Sequence, residues 1–124
     1  NVKINSCGTL DWGINPRDER MSYIASTLGY TMEGVTTPMT RESLLEADKV
    51  IVFTADHRDA ITQVLDYSHW DRIVLFDMIA FSQISEVEDP CLQSDAIYAK
   101  VANHIIEGCN NIIEKWIKNP PHKI

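Results

Sequence analysis

Two stretches decide the fold: Lys49-Val50-Ile51-Val52-Phe53-Thr54 and Arg72-Ile73-Val74-Leu75-Phe76. Each is a short β-branched run without charge in its middle, the pattern of a strand buried on both faces. Between them, residues 56–65 read as a helix with Ala60, Ile61, Val64 and Leu65 turned inward. Strand, helix, strand in this spacing is a crossover unit, and such units build parallel sheets.

Working outward, Val2-Lys3-Ile4-Asn5-Ser6-Cys7 alternates apolar and polar residues and predicts a further strand. Asn15-Pro16 predicts a helix start, with Met21, Ile24 and Leu28 on one face and Gly29 as its stop. Thr40 is a candidate cap for a short helix that carries Leu44, Leu45 and Ala47 inward. Residues 82–93 are irregular and acidic. A long amphipathic helix is expected over 94–116, on the stripe Ile97, Val101, Ile105, Ile112 and Trp116. The predicted order is β-α-α-β-α-β-loop-α. The expected fold is an α/β three-layer sandwich: a short parallel sheet with helices on both faces. Residues 1–118 form one domain in this reading, and residues 119–124, with Pro120-Pro121, a flexible tail.

Composition narrows the function. The 124 residues suffice for one core. Apolar residues make up 44% and charged residues 23%, with a net charge of −7. An acidic surface repels phosphate backbones, so nucleic-acid binding is not expected. No apolar run approaches membrane-spanning length, so no membrane partner is expected. Cys7, Cys91 and Cys109 are odd in number and scattered. They form neither a disulfide framework nor a zinc-binding spacing, which predicts reduced thiols in a cytoplasmic protein and no metal site. No cofactor is called for.

Ligands of open parallel sheets gather at the carboxyl ends of the strands. The loops there carry Ser6, Asp11, Trp12, Thr54, Asp56, His57, Arg58, Glu88 and Asp89. Asp89 stands out because Pro90 follows it and holds it out of the helical region. A carboxylate on a stiffened loop, beside the like charges of Glu86 and Glu88, meets the conditions for a general acid.

With these elements placed, the chain resembles the low-molecular-weight protein tyrosine phosphatases. The resemblance runs through the segment from Ile4 to Trp12, the helix start Asn15-Pro16-Arg17, the helix and strand between Thr40 and Thr54, His57, and Val87-Glu88-Asp89-Pro90. It implies a phosphomonoesterase acting on a phosphorylated protein, whether at phosphotyrosine or another phosphoresidue. In the family a cysteine attacks phosphorus from a Cys-x5-Arg loop that cradles the phosphate, and the Asp of Asp-Pro protonates the leaving oxygen. Carried onto this chain, Asp89 is the general acid, Trp12 a wall of the substrate pocket, and Ser6 a hydrogen-bonding support for the phosphate loop. Cys91 and Leu92 stand where eukaryotic members often have Tyr-Tyr.

The nucleophile loop has no match. Six residues after Cys7, Cys91 and Cys109 lie Gly13, Ile97 and Lys115, never an arginine. The resemblance implies a sheet order 2-1-3-4 in which the first strand, central in the sheet, precedes the aligned segment. Its removal leaves two sheet edges unpaired. Each orphaned buried backbone group costs about 1–3 kcal/mol, against a domain stability of about 5–15 kcal/mol. The expectation is therefore that about 35–40 residues belong before Asn1 and that residues 1–124 alone are inactive. One alternative is a non-catalytic binding or regulatory module of the same fold, with a partner or a second copy in a homodimer supplying the missing strand. Another is a thiol-linked reductase working through Cys7 or Cys91.

Overall fold

The structure, a computed structural model, describes residues 3–9 and 15–119. The predicted crossover unit is present. Strands β3 (Val50–Val52) and β4 (Ile73–Leu75) pair in parallel, with Val50 opposite Ile73 and Val52 opposite Leu75. Helix α3 (Ala55–Thr62) and a 3-10 turn over Tyr67–Arg72 connect them. Helix α3 is shorter than its periodicity suggests, because the chain turns at Gln63 to bring Leu65 inward.

Three helix starts follow from local chemistry. Thr40 caps α2 (Arg41–Glu46) in a reciprocal capping box with Ser43. Thr54 Oγ1 accepts the His57 N–H at 3.2 Å at the start of α3. Ser94 caps α5 (Asp95–Lys118), the long helix expected from the sequence. Arg72 closes the other end of α2, donating from Nη1 to the carbonyls of Leu44, Leu45 and Ala47.

Other elements depart from expectation. Asn15–Pro16 is not a helix start but strand β1, antiparallel to β2 (Val35–Thr36). Helix α1 begins at Glu19 and ends at Thr27, with the Asp18 carboxylate accepting the Met21 N–H at 2.9 Å. The pairing of β1 with β2 is a non-local contact that outweighs the local helix signal of Asn-Pro. Helix α4 (Phe76–Phe81) occupies a stretch read as the end of a strand and a loop.

The sheet is also less complete than expected. Among the described residues the strands form two separate two-stranded sheets. Residues 3–7 form no strand, although they alternate correctly; Ile4 is 77% exposed. The segment continues into Gly8, which bridges to Pro38 through Gly8 N–H to Thr37 O and Met39 N–H to Gly8 O. Strand β3 is buried on one face only: Val50 and Val52 are inside, while Ile51 is 37% exposed. An alternating segment becomes a strand only when a neighbouring strand satisfies its backbone; among the described residues no strand pairs with residues 3–7, whose Ser6 carbonyl takes the Thr37 hydroxyl instead, or with the outer edge of β3.

The core falls into two bodies beside the β3–β4 pair. Leu44, Val50, Val52, Ile61, Leu65 and Ile73 join α2 and α3 to the strands. Phe76, Ala80, Val87, Val101 and Ile112 join α4, the following loop and α5. Helix α1 adds Ile24, packed on Tyr98 and Ala102 of α5. No helix among the described residues is long and apolar enough to cross a membrane.

Candidate active site at the carboxyl ends of the strands

Chain direction places the loop after β3 and the loop after α4 at the same end of the parallel pair. The second of these, residues 82–94, carries Asp89. Its path is fixed by a series of hydrogen bonds to the strand ends. Ser82 leaves α4 in the left-handed conformation, φ 55°. The Gln83 N–H then donates to the Asp77 carbonyl at 3.3 Å. The Ser85 hydroxyl donates to Asp77 Oδ2 at 2.5 Å. Glu86 Oε2 accepts the Ala55 N–H at 2.6 Å, at the first turn of α3. The Val87 N–H donates to the Phe53 carbonyl at 3.1 Å, and the Val87 side chain is buried. Glu88 Oε1 lies 3.6 Å from Lys100 Nζ.

Asp89 follows directly and is exposed. Its Oδ1 accepts the Cys91 N–H at 3.0 Å, and the Gln93 N–H closes the next turn on the Pro90 carbonyl at 2.9 Å. One carboxylate oxygen of this exposed side chain is thus held by the backbone. The neighbouring carboxylates expected to crowd Asp89 are directed elsewhere, Glu86 to the α3 N-terminus and Glu88 to Lys100. Asp89 therefore owes its placement to the turn and the loop rather than to repulsion by its neighbours.

Ser6 lies beside the β1–β2 pair, bonded to the residues that follow each strand. Its Oγ accepts from Arg17 Nη2 at 3.2 Å, and its carbonyl accepts the Thr37 hydroxyl at 3.4 Å. Arg17 also donates from Nε to the Glu33 carbonyl at 3.3 Å. Trp12 and Asp11 lie outside the described residues. His57 is half-buried with its ring 6.4 Å from that of Phe53, and Arg58 is exposed. The three cysteines are unpaired. Partial burial pushes the thiols of Cys7 and Cys109 above their ordinary range. Neither has the lowered thiol of an activated nucleophile. No group of three or more metal-ligating side chains exists among the described residues.

Sequence reasoning missed one feature. Asp77 is 3% exposed, the only charged side chain among the described residues to be buried. Its Oδ1 lies 2.7 Å from His104 Nε2 of α5, and its Oδ2 takes the Ser85 hydroxyl. An open cleft of about 400 Å³ runs past Asp77, Ser85, Glu86, Glu88, Lys100 and His104. The signal was available: Asp77 is the only charge in the run from Ile73 to Phe81, and a charge inside an apolar run is buried only when partnered.

The profile of the low molecular weight phosphotyrosine protein phosphatases matches residues 1–121. The chain belongs to this family. Among solved structures, it is similar to a low molecular weight phosphotyrosine phosphatase from Vibrio cholerae O395, with 22% identity, 97% of this chain and 79% of that chain covered, and a TM-score of 0.89. A low molecular weight protein tyrosine phosphatase from Bacillus subtilis matches at 21% identity over 96% of this chain and 79% of that one, TM-score 0.81. An arginine phosphatase, YwlE, in a variant with a phosphorylated active-site serine, matches at 19% identity over 83% and 67%, TM-score 0.76. No curated protein matches the chain. The family's fold, an α/β unit with a short parallel sheet, is therefore the fold of this chain, and the family's activity is phosphoprotein dephosphorylation.

Proposed function

We propose that this protein removes phosphate from a phosphorylated residue of a protein through a phosphocysteine, with the nucleophile loop contributed by residues outside 1–124. The observation that carries this reading is the position of Asp89: an exposed carboxylate on a loop tied, through the Val87 N–H to the Phe53 carbonyl, to the carboxyl end of β3. A carboxyl group there can protonate a leaving oxygen and later take a proton from the water that hydrolyses the phosphoenzyme. Trp12 would line the substrate pocket. Ser6, already oriented by Arg17, would hydrogen-bond the phosphate loop. Among the described residues no strand pairs with the outer edge of β3 or with residues 3–7, which fits a sheet that takes one more strand between them. The phosphorylated active-site residue of the YwlE relative supports chemistry through a phosphoenzyme. It also makes phosphoarginine a substrate class to assay beside phosphotyrosine.

The test starts with the reading frame upstream of Asn1. A Cys-x5-Arg loop there, with phosphatase activity in the complete protein and none in residues 1–124 alone, is the expected result. Trapping of phosphate on that cysteine would identify the intermediate. A complete protein without such a loop, or one that turns over neither phosphotyrosine nor phosphoarginine peptides, would refute the proposal.

A further inference from the structure

The pattern of contacts around the Asp89 loop is more extensive than a connector between two helices requires. Two polar side chains of the loop, Ser85 and Glu86, are exposed yet each makes a short bond to the first turn of a different helix, just beyond a strand. Ser85 donates to Asp77 Oδ2, two residues beyond β4. Glu86 accepts from the backbone of Ala55, three residues beyond β3. The Asp77 carboxylate is itself fixed by burial and by His104 of α5. Between the two ties and Asp89 lies only Val87, locked by its own backbone bond to Phe53 and by a buried side chain, and Glu88.

We infer that Ser85, anchored on the buried Asp77, and Glu86, anchored on the α3 N-terminus, are positioning residues that hold Asp89 at the reacting end of β3 and β4. The inference rests on the reading of Asp89 as general acid. Neither residue touches substrate in it; each acts by fixing where the Asp89 carboxyl stands. Proton transfer needs heavy atoms within about 2.6–3.2 Å, and a displacement near 1 Å costs about 100-fold in rate. Two ties to helix starts just beyond the paired strands are a means of keeping a loop carboxylate within that tolerance.

The experiment uses the complete protein. Ser85→Ala and Glu86→Ala remove one tie each. Ser85→Thr and Glu86→Gln keep a hydroxyl and a carbonyl acceptor and serve as rescues. Turnover is measured on p-nitrophenyl phosphate, whose leaving group needs little protonation, and on phenyl phosphate, whose leaving group needs more. The expected result is a loss of about 10- to 100-fold in kcat on phenyl phosphate for either alanine variant. Expected alongside it are a smaller loss on p-nitrophenyl phosphate, an unchanged KM, recovery in the conservative variants, and no further loss when either is added to Asp89→Asn. Hydrogen exchange at the Val87 amide should quicken in the alanine variants. If Asp89→Asn slows phenyl phosphate turnover while both alanine variants keep full kcat, the positioning inference is overturned and the general-acid reading stands. If Asp89→Asn itself changes nothing, the general-acid reading falls and takes this inference with it.

Discussion

Gly108 lies within α5 and is buried against α4. A Cβ added there would stand 2.3 Å from Phe76 Cζ, 2.4 Å from Phe76 Cε2 and 3.2 Å from the Ala80 Cβ. Carbon atoms pack at about 3.5–4.0 Å, so Gly108→Ala requires the Phe76 ring to retreat by more than 1 Å. That ring is 3% exposed and wedged between Phe53, Phe81 and His104 at centroid distances of 5.5, 6.5 and 6.1 Å, so it has no free space to enter. Overpacking of this kind costs about 1–3 kcal/mol, and a collision this close belongs at the upper end. Alanine in a helix interior returns about 1 kcal/mol over glycine. The net expectation is a destabilisation of about 2 kcal/mol, a fall in Tm of about 8 °C at roughly 4 °C per kcal/mol. Thermal unfolding followed by circular dichroism measures it. The second variant Phe76→Leu should recover part of the loss in the Gly108→Ala background, because the smaller side chain vacates the contact. A Tm of Gly108→Ala equal to or above that of the parent would refute the packing of α5 against α4 described here.

Three further outcomes follow from the same structure. Thr40→Ala should cost about 1 kcal/mol, since it removes the side-chain half of the capping box on α2; urea unfolding would show it as a lower midpoint with an unchanged slope. Ser82→Gly should raise stability by about 0.5–1 kcal/mol, because Ser82 ends α4 at φ 55°, where a Cβ is unfavourable; a lower Tm would contradict that geometry. Cys7 and Cys109 should be alkylated by iodoacetamide more slowly than free cysteine at pH 8. Burial raises both thiols, so their thiolate fraction there is smaller and grows only at higher pH. Site-resolved mass spectrometry across pH 7–10 measures it, and a midpoint at or below that of free cysteine would overturn the assignment.

The comparison of sequence and structure divides along the range of the interactions involved. Thr40, Thr54 and Ser94 cap helices through contacts to residues three positions away, and the β-branched runs at Val50–Val52 and Ile73–Leu75 build the parallel pair that their composition predicts. What escaped depends on distant partners. Asn15–Pro16 carries a helix-start signal but pairs with Val35–Thr36. Residues 3–7 and the exposed face of Ile51 carry strand signals that need a neighbour absent from the described residues. Helix α4 follows β4 with no intervening turn residue, so Phe76 read as the end of the strand and the residues after it as loop. At the candidate site, Asp89 was legible because Pro90 marks it locally. The anchoring of its loop was not, because Asp77, Ser85 and His104 meet only through the packing of α4 on α5.

The account turns on Asp89 as the proton donor, and leaving-group dependence in the complete protein tests that most directly. Asp89→Asn should lower turnover of phenyl phosphate by about 10²–10⁴-fold and that of p-nitrophenyl phosphate far less. Equal losses on both substrates, or none on either, would show that Asp89 donates no proton to the leaving group.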